Sequence, residues 1–209
     1  MLDGTLLLGG QTVSVDFPAT EGVVQTLYGG EPAGSGHSGV YGGDCFLARL
    51  SADGGKILAA TFFGGSKQER DVYGTALDSQ GNIVVTTTTR SADMPTTEGA
   101  FQRRYGGGEA DVVVAKFSAD LKKLIWYTYV GGSGNETPRG GLALDREDNI
   151  YIVGTTASAD FPTTPGVVGP SVKGDYDAFI VKLKSDGSGL VWSTRLGGRA
   201  SDAGRFSSC

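Results

Sequence analysis

Basic residues in excess, long apolar runs, histidine and cysteine are all wanting in this chain of 209 residues. Each shortage removes a class of function. Eighteen Lys+Arg against 23 Asp+Glu give a formal charge of −5, without the cationic surface that nucleic acid or an anionic membrane demands. No stretch of ~18 apolar residues is present to cross a bilayer. The opening MLDGTLLLGG lacks the charged and long apolar regions of a signal peptide. A soluble chain with no nucleic-acid partner and no membrane insertion is expected. Two cysteines, Cys45 and Cys209, fit neither a zinc cluster nor a disulfide-dense scaffold. They read as unpaired thiols, with a bridge through the terminal Cys209 as the alternative. Any sustained 3.6-residue apolar period is missing too, which argues against helix. What the chain has in abundance is glycine, 35 residues, roughly 17 % against a usual ~7 %. Many tight turns are therefore required.

Those turns recur. GGDCFLARLSADGGKILAATFFGG, EADVVVAKFSADLKKLIWYTYVGG and DYDAFIVKLKSDGSGLVWSTRLGG align through Asp44, Asp111 and Asp177 and through Gly64, Gly131 and Gly197. Between them, Asp78 and Asp145, Asn82 and Asn149, and Pro95 and Pro162 repeat at the same interval of 67 residues. Leu6 to Val24 matches the later IYIVGTTASADFPTTPGVV, so the chain begins partway through a unit. After Gly198 the tail RASDAGRFSSC resembles the opening of another. About ten extra residues within EPAGSGHSGVYGG lengthen the first unit and read as a dispensable loop.

Each unit holds four short β-prone runs separated by turn signals. In DAFIVKL both alternating faces are mostly apolar, as expected of a sheet packed between two others. Arg49, Lys116 and Lys182, near the ends of such strands, are expected to snorkel to water. Four antiparallel strands at a fixed long period are the mark of an all-β fold of β-propeller blades. The chain reads as one array over 1–209: a partial first blade over 1–65, a second over 66–132, a third over 133–198 and the start of a further blade over 199–209. Since propellers close with four to eight blades, about three leave the ring incomplete in one chain. Self-association or the rest of a longer propeller is expected to cover the ends. Trp126 and Trp192, one unit apart, are both expected to be buried.

The string D-x-F-x-x-K-L-x-x-D-G-x-x-L-x-x-S-T-x-L-G-G from Asp177, with A-x-D-x-x-x-N-x-Y-x-x-G-x-T-x-S-x-x-F-P-T-T from Ala143, resembles the bacterial β-propeller repeat called SBBP. The resemblance covers nearly the whole chain, although Thr86 to Thr89 replace the Gly-Thr-Thr ending in the second unit. It implies a blade-forming module of a secreted or cell-surface protein, with no catalytic residues to carry over. A fold alone names no reaction.

The motifs carry little chemistry of their own. GSGHSG at Gly34 to Gly39 has the spacing of a nucleotide loop but neither the strand before it nor the helix after it. The sole histidine, His37, lies in the same insert, without the packing a catalytic triad needs. Asp78, Asn82, Asp145 and Asn149, and Asp53, Asp120 and Asp186, read as turn residues. Ser91 with Asp93 and Ser158 with Asp160 read as turn locks before a proline. Calcium suits an oxygen-rich surface, but no D-x-[DN]-x-[DN]-G loop occurs. No metal or cofactor is expected.

What varies on this frame is a set of loops: SKQERDVY, SGNETPRG and RASDAGRF, joined on one face by the segment Phe101 to Tyr105. Binding usually resides in such loops on a rigid scaffold. The candidates are Glu69, Arg70, Asp71, Arg103, Arg104, Tyr105, Glu136, Arg139, Asp202 and Arg205. The favoured function is a non-enzymatic interaction or structural module with protein or glycan partners. The rival is a glycan-processing or other enzyme using Glu69, Asp71, Glu136 and Asp202, which requires two acids to converge in a concave pocket.

Overall fold

The structure is a computed structural model that describes residues 4–31, 42–169 and 174–205. Eleven strands and no helix occur among the described residues. The first sheet comprises β1 (Leu6–Thr12), β2 (Asp44–Leu50) and β3 (Ile57–Phe63). The second comprises β4 (Glu69–Leu77), β5 (Ile83–Thr89), β6 (Asp111–Phe117) and β7 (Leu124–Val130). The third comprises β8 (Glu136–Leu144), β9 (Ile150–Thr156), β10 (Asp177–Leu183) and β11 (Leu190–Leu196). Every pairing is antiparallel between consecutive strands, and the sheets do not close into a ring. The insert with Gly34, His37 and Gly39, and Cys209, lie outside the described residues.

Local chemistry sets the hairpins. In the turn between β4 and β5 the Asp78 carboxylate accepts from the backbone N–H groups of Gln80 and Asn82, and Gly81 takes φ 82°. Asp145 repeats the pattern one unit later, where Asp148 fills the glycine position at φ 59°. Short polar side chains tolerate that left-handed backbone. Leu121 does so too, at φ 59°, and is fully buried in the core. The left-handed conformation there is held by packing against the neighbouring sheet.

The middle sheet is apolar on both faces because each face is covered. Ile83, Val85, Val113, Ala115 and Phe117 pack toward the first sheet with Cys45, Leu47 and Phe63. The alternate residues Val84, Val112 and Val114 pack toward the third, against Ile152, Phe179 and Val181. The strand period of two thus divides one sheet between two cores. At the inner edge β4 and β8 approach closely, since a Cβ added to Gly74 would meet the Leu142 nitrogen at 2.5 Å. Pro138 lies where the β8–β9 pairing shifts register, a place that tolerates a missing donor.

Two expectations are corrected here. Arg49 and Lys116 do not snorkel: they donate to Ala119 O at 2.8 Å and Ser185 O at 2.9 Å, in the hairpin turns of the following sheet. Lys116 also pairs with the Asp78 carboxylate at 3.1 Å, and Lys182 pairs with Asp145 at 2.7 Å. Trp126 is buried, donating from Nε1 to Ser185 O at 3.2 Å and covering Gly187. Trp192 is only half-buried, with Tyr151 edge-on at 6.1 Å. The Trp126 indole is covered by the turn of the next sheet, and among the described residues no sheet follows the third.

Candidate functional site

The loop face is built around two buried acid hubs. Glu69 and Glu136 open β4 and β8 with no exposure at all. Oε1 of Glu69 accepts from the hydroxyls of Thr89 and Ser91, each at 2.6 Å, and Oε2 accepts from Gly65 N–H at 3.0 Å. Glu136 repeats this with Thr156 at 2.5 Å, Ser158 at 2.6 Å and Gly132 N–H at 2.9 Å. The residues before each glutamate are held by the same loop: Ser66 and Lys67 N–H donate to Asp93 and Ser91, while Ser133 and Gly134 N–H donate to Asp160 and Ser158. Ser91 and Ser158 therefore lock the crossing from one sheet to the next, beyond the local turn expected for them.

A second acid meets each glutamate. A Cβ on Gly131 would lie 2.6 Å from Asp111 Oδ1 and 2.7 Å from Glu136 Oε2, and one on Gly64 would touch both Asp44 Oδ1 and Glu69 Oε2. Glycine is required at these positions because the carboxyls occupy the space. Oδ1 of Asp44 and of Asp111 is buried without a donor. Burial pushes Asp44 up to about 6 and Glu69 up to about 8. It pushes Asp111 up to about 7, against the Gly106 N–H bond and with the charge of Glu136 adding to the rise.

The sign of the resulting pH dependence follows directly. Unfolded carboxyls ionise near 4, so between about pH 4 and pH 8 the folded chain binds more protons and loses stability as pH rises. Below that window the depressed carboxyls of Asp93, Asp120, Asp160 and Asp186 act in the opposite sense. Urea unfolding from pH 4 to 9 should show greater stability at about pH 5 than at 8, with a shallower slope in Asp111→Asn. A flat or rising profile would mean that Asp44, Glu69 and Asp111 take up no protons on folding.

The sequence candidates divide into four groups. Glu69 and Glu136 are interior, and Tyr105 is half-buried, edge-on to Tyr129 at 5.9 Å with its hydroxyl donating to Gly108 O. These three are corrected from loop-face contacts to framework. Arg70, Asp71 and Arg139 lie within β4 and β8 rather than in loops, because both inner strands begin at the glutamate. Asp71 sits at φ 32°, where the β4–β5 register shifts, and donates its N–H to Gln11 Oε1. Arg103 and Arg104 are exposed on a rigid connection: Arg103 O accepts from Thr96, Arg104 O from Gln102 Nε2, and Gln102 Oε1 from Gly131 N–H. That connection meets the β7–β8 loop, where Glu109 N–H donates to Asn135 Oδ1 at 2.5 Å. Asp202 accepts from Gly198 N–H at 2.7 Å, in the role Glu69 and Glu136 have toward Gly65 and Gly132, while Arg205 is exposed.

Asp44 and Asp111 were missed as partners of the glutamates. Their recurrence at the interval of Glu69 and Glu136 was the available signal. Near the first junction an open pocket of about 440 Å³ is lined by Gln25, Ser66, Asp93 and Pro95. Neither glutamate lines it. No group of three or more metal-ligating side chains occurs among the described residues.

Antiparallel sheets stacked face to face, converging on their inner strands and tied at each crossing by the same hub, define an array of propeller-type blades. Residues 125–162, from β7 through β8 and β9, match the SBBP family, described as a beta-propeller repeat. Over that stretch the chain is similar to an SBBP beta-propeller repeat. No curated protein matches the chain.

Proposed function

We propose that the chain is a non-enzymatic interaction module of a secreted or cell-surface protein, part of a closed propeller, that binds protein or glycan through its loop face. The observation that carries this reading is the contrast between its acids and its arginines. Glu69 and Glu136 are sealed in the frame by hydroxyls and N–H groups. Arg103 and Arg104 stand exposed on a connection whose backbone is pinned at Arg103 O, Arg104 O and Gly131 N–H. A fixed backbone lowers the ordering cost of presenting two guanidinium groups, which suit carboxylate, sulfate or phosphate groups on a partner. The rival enzyme reading needs accessible paired acids, and two of its four candidates are unreachable by substrate.

A glycan and peptide array on the folded protein tests this. Ligands bearing anionic groups should be retained, and Arg103→Ala/Arg104→Ala should lose about tenfold or more in affinity with the melting temperature unchanged. Binding that survives the double substitution would place recognition elsewhere.

A further inference from the structure

We propose that the outward face of the third sheet docks head-to-tail on the outward face of the first sheet of a second copy, using the contacts that join the sheets within one chain. The proposal names one partner under the interaction reading above, and it requires no loop-face ligand.

Three half-contacts are present at each end. The first is the hub. Thr12, Ser14 and Asp16 occupy the positions of Thr89, Ser91 and Asp93, and Ser14 N–H already donates to Thr12 Oγ1 at 3.0 Å, as Ser91 does to Thr89 at 2.9 Å. Ser14 and Asp16 are exposed. At the other end Gly198 N–H holds Asp202 as Gly65 holds Glu69, with Arg199 and Ala200 exposed where Ser66 and Lys67 donate to Asp93 and Ser91. One end thus carries the acid and the other its hydroxyls.

The second half-contact is the hairpin turn. Inside the chain Val24 N–H donates to Leu121 O at 3.0 Å and Phe101 N–H to Gly187 O at 2.8 Å. The corresponding donor in the third unit is Val168, 72 % exposed, and the corresponding turn in the first is Gly54, with nothing within 4 Å of its Cβ position. Trp192, half-buried, has the place of Trp126, whose indole covers Gly187.

The third is the apolar face. Leu6 and Leu8 are 52 % and 50 % exposed, while Ile83 and Val85 at the same strand positions are 0 % and 1 %. Leu196 is 65 % exposed where Val130 is 0 %. Faces of this kind are buried at both internal junctions, and the register that buries them is already encoded. A head-to-tail contact closes a ring or continues as an open chain.

Sedimentation velocity and light scattering across a hundredfold concentration range test this on the purified chain. Mass should rise in multiples of one chain. Thr12→Val/Ser14→Ala and Asp202→Ala should each weaken association by about tenfold or more, with unchanged far-UV circular dichroism. Asp202→Glu, restoring the internal residue, should tighten it. An equimolar mixture of the two weakened variants keeps one sound junction and should yield a dimer that goes no further. A wild-type monomer at every concentration, variants that associate as wild type does, or a mixture without dimer would overturn the proposal. Array binding is scored separately on the wild-type chain: retained binding without association rejects the docking and leaves the loop-face reading standing.

Discussion

Glu136→Ala is expected to lose about 3–5 kcal/mol of stability, although it removes an acidic side chain from an acidic protein. The carboxylate is the shared acceptor for Thr156 Oγ1, Ser158 Oγ and Gly132 N–H, and all three donors are buried. Each donor stranded without water costs about 1–3 kcal/mol. Part of that is offset, because Asp111 no longer faces a second carboxyl and its raised proton affinity relaxes. Glu136→Gln keeps Oε1 as acceptor for the two hydroxyls but turns an amide NH2 toward Asp111 and the Gly132 N–H, so it should cost about 1–3 kcal/mol, less than Glu136→Ala. Chemical denaturation of the two variants measures the difference. Equal losses would mean that charge, not acceptance of the two hydroxyls, is the hub's contribution.

Trp126→Ala should cost about 3–5 kcal/mol, the range for a large aromatic removed from a core. Its indole covers the turn at Gly187, donates to Ser185 O and lies beneath Lys116 Nζ, 5.7 Å from the ring. Removing it opens the junction between the second and third sheets and strips cover from Lys116 and its partner Asp78. Trp192→Ala at the homologous position should cost only about 1–2 kcal/mol at dilution, because less apolar surface leaves water there on folding. Denaturation at low concentration separates the two. At high concentration the Trp192 variant should lose more if a second copy docks over that indole as proposed. Equal losses at dilution would show that the third sheet is covered by some other surface.

The recurrence of Asp44, Asp111 and Asp177, and of the Asp-Gly and Asp-Asn turn residues, made the four-strand unit legible. Those features act within a few residues of themselves: Asp78 binds Asn82 N–H four positions away, and alternating apolar residues choose strand over helix by period alone. The two-faced apolar pattern read in DAFIVKL, which is β10, announced a sheet between sheets, but β10 is fully buried on one face only among the described residues, and the strand that lies between two sheets is β6.

Glu69 and Glu136 show where that legibility stopped. A glutamate in a charged, variable segment is ordinarily solvated, and nothing adjacent to it in sequence says otherwise. The hydroxyls that bind Glu69 come from positions 20 and 22 residues onward, and the acid it meets, Asp44, belongs to the preceding sheet. Trp126 and Trp192 share a position in the repeat and differ only in having a neighbour. Strand type, turn type and period were determined by the sequence alone, because they arise from backbone preferences and short-range hydrogen bonds. Which acids are interior, which arginines are presented and which indole is covered were decided by the tertiary stacking, because burial depends on the sheet next door.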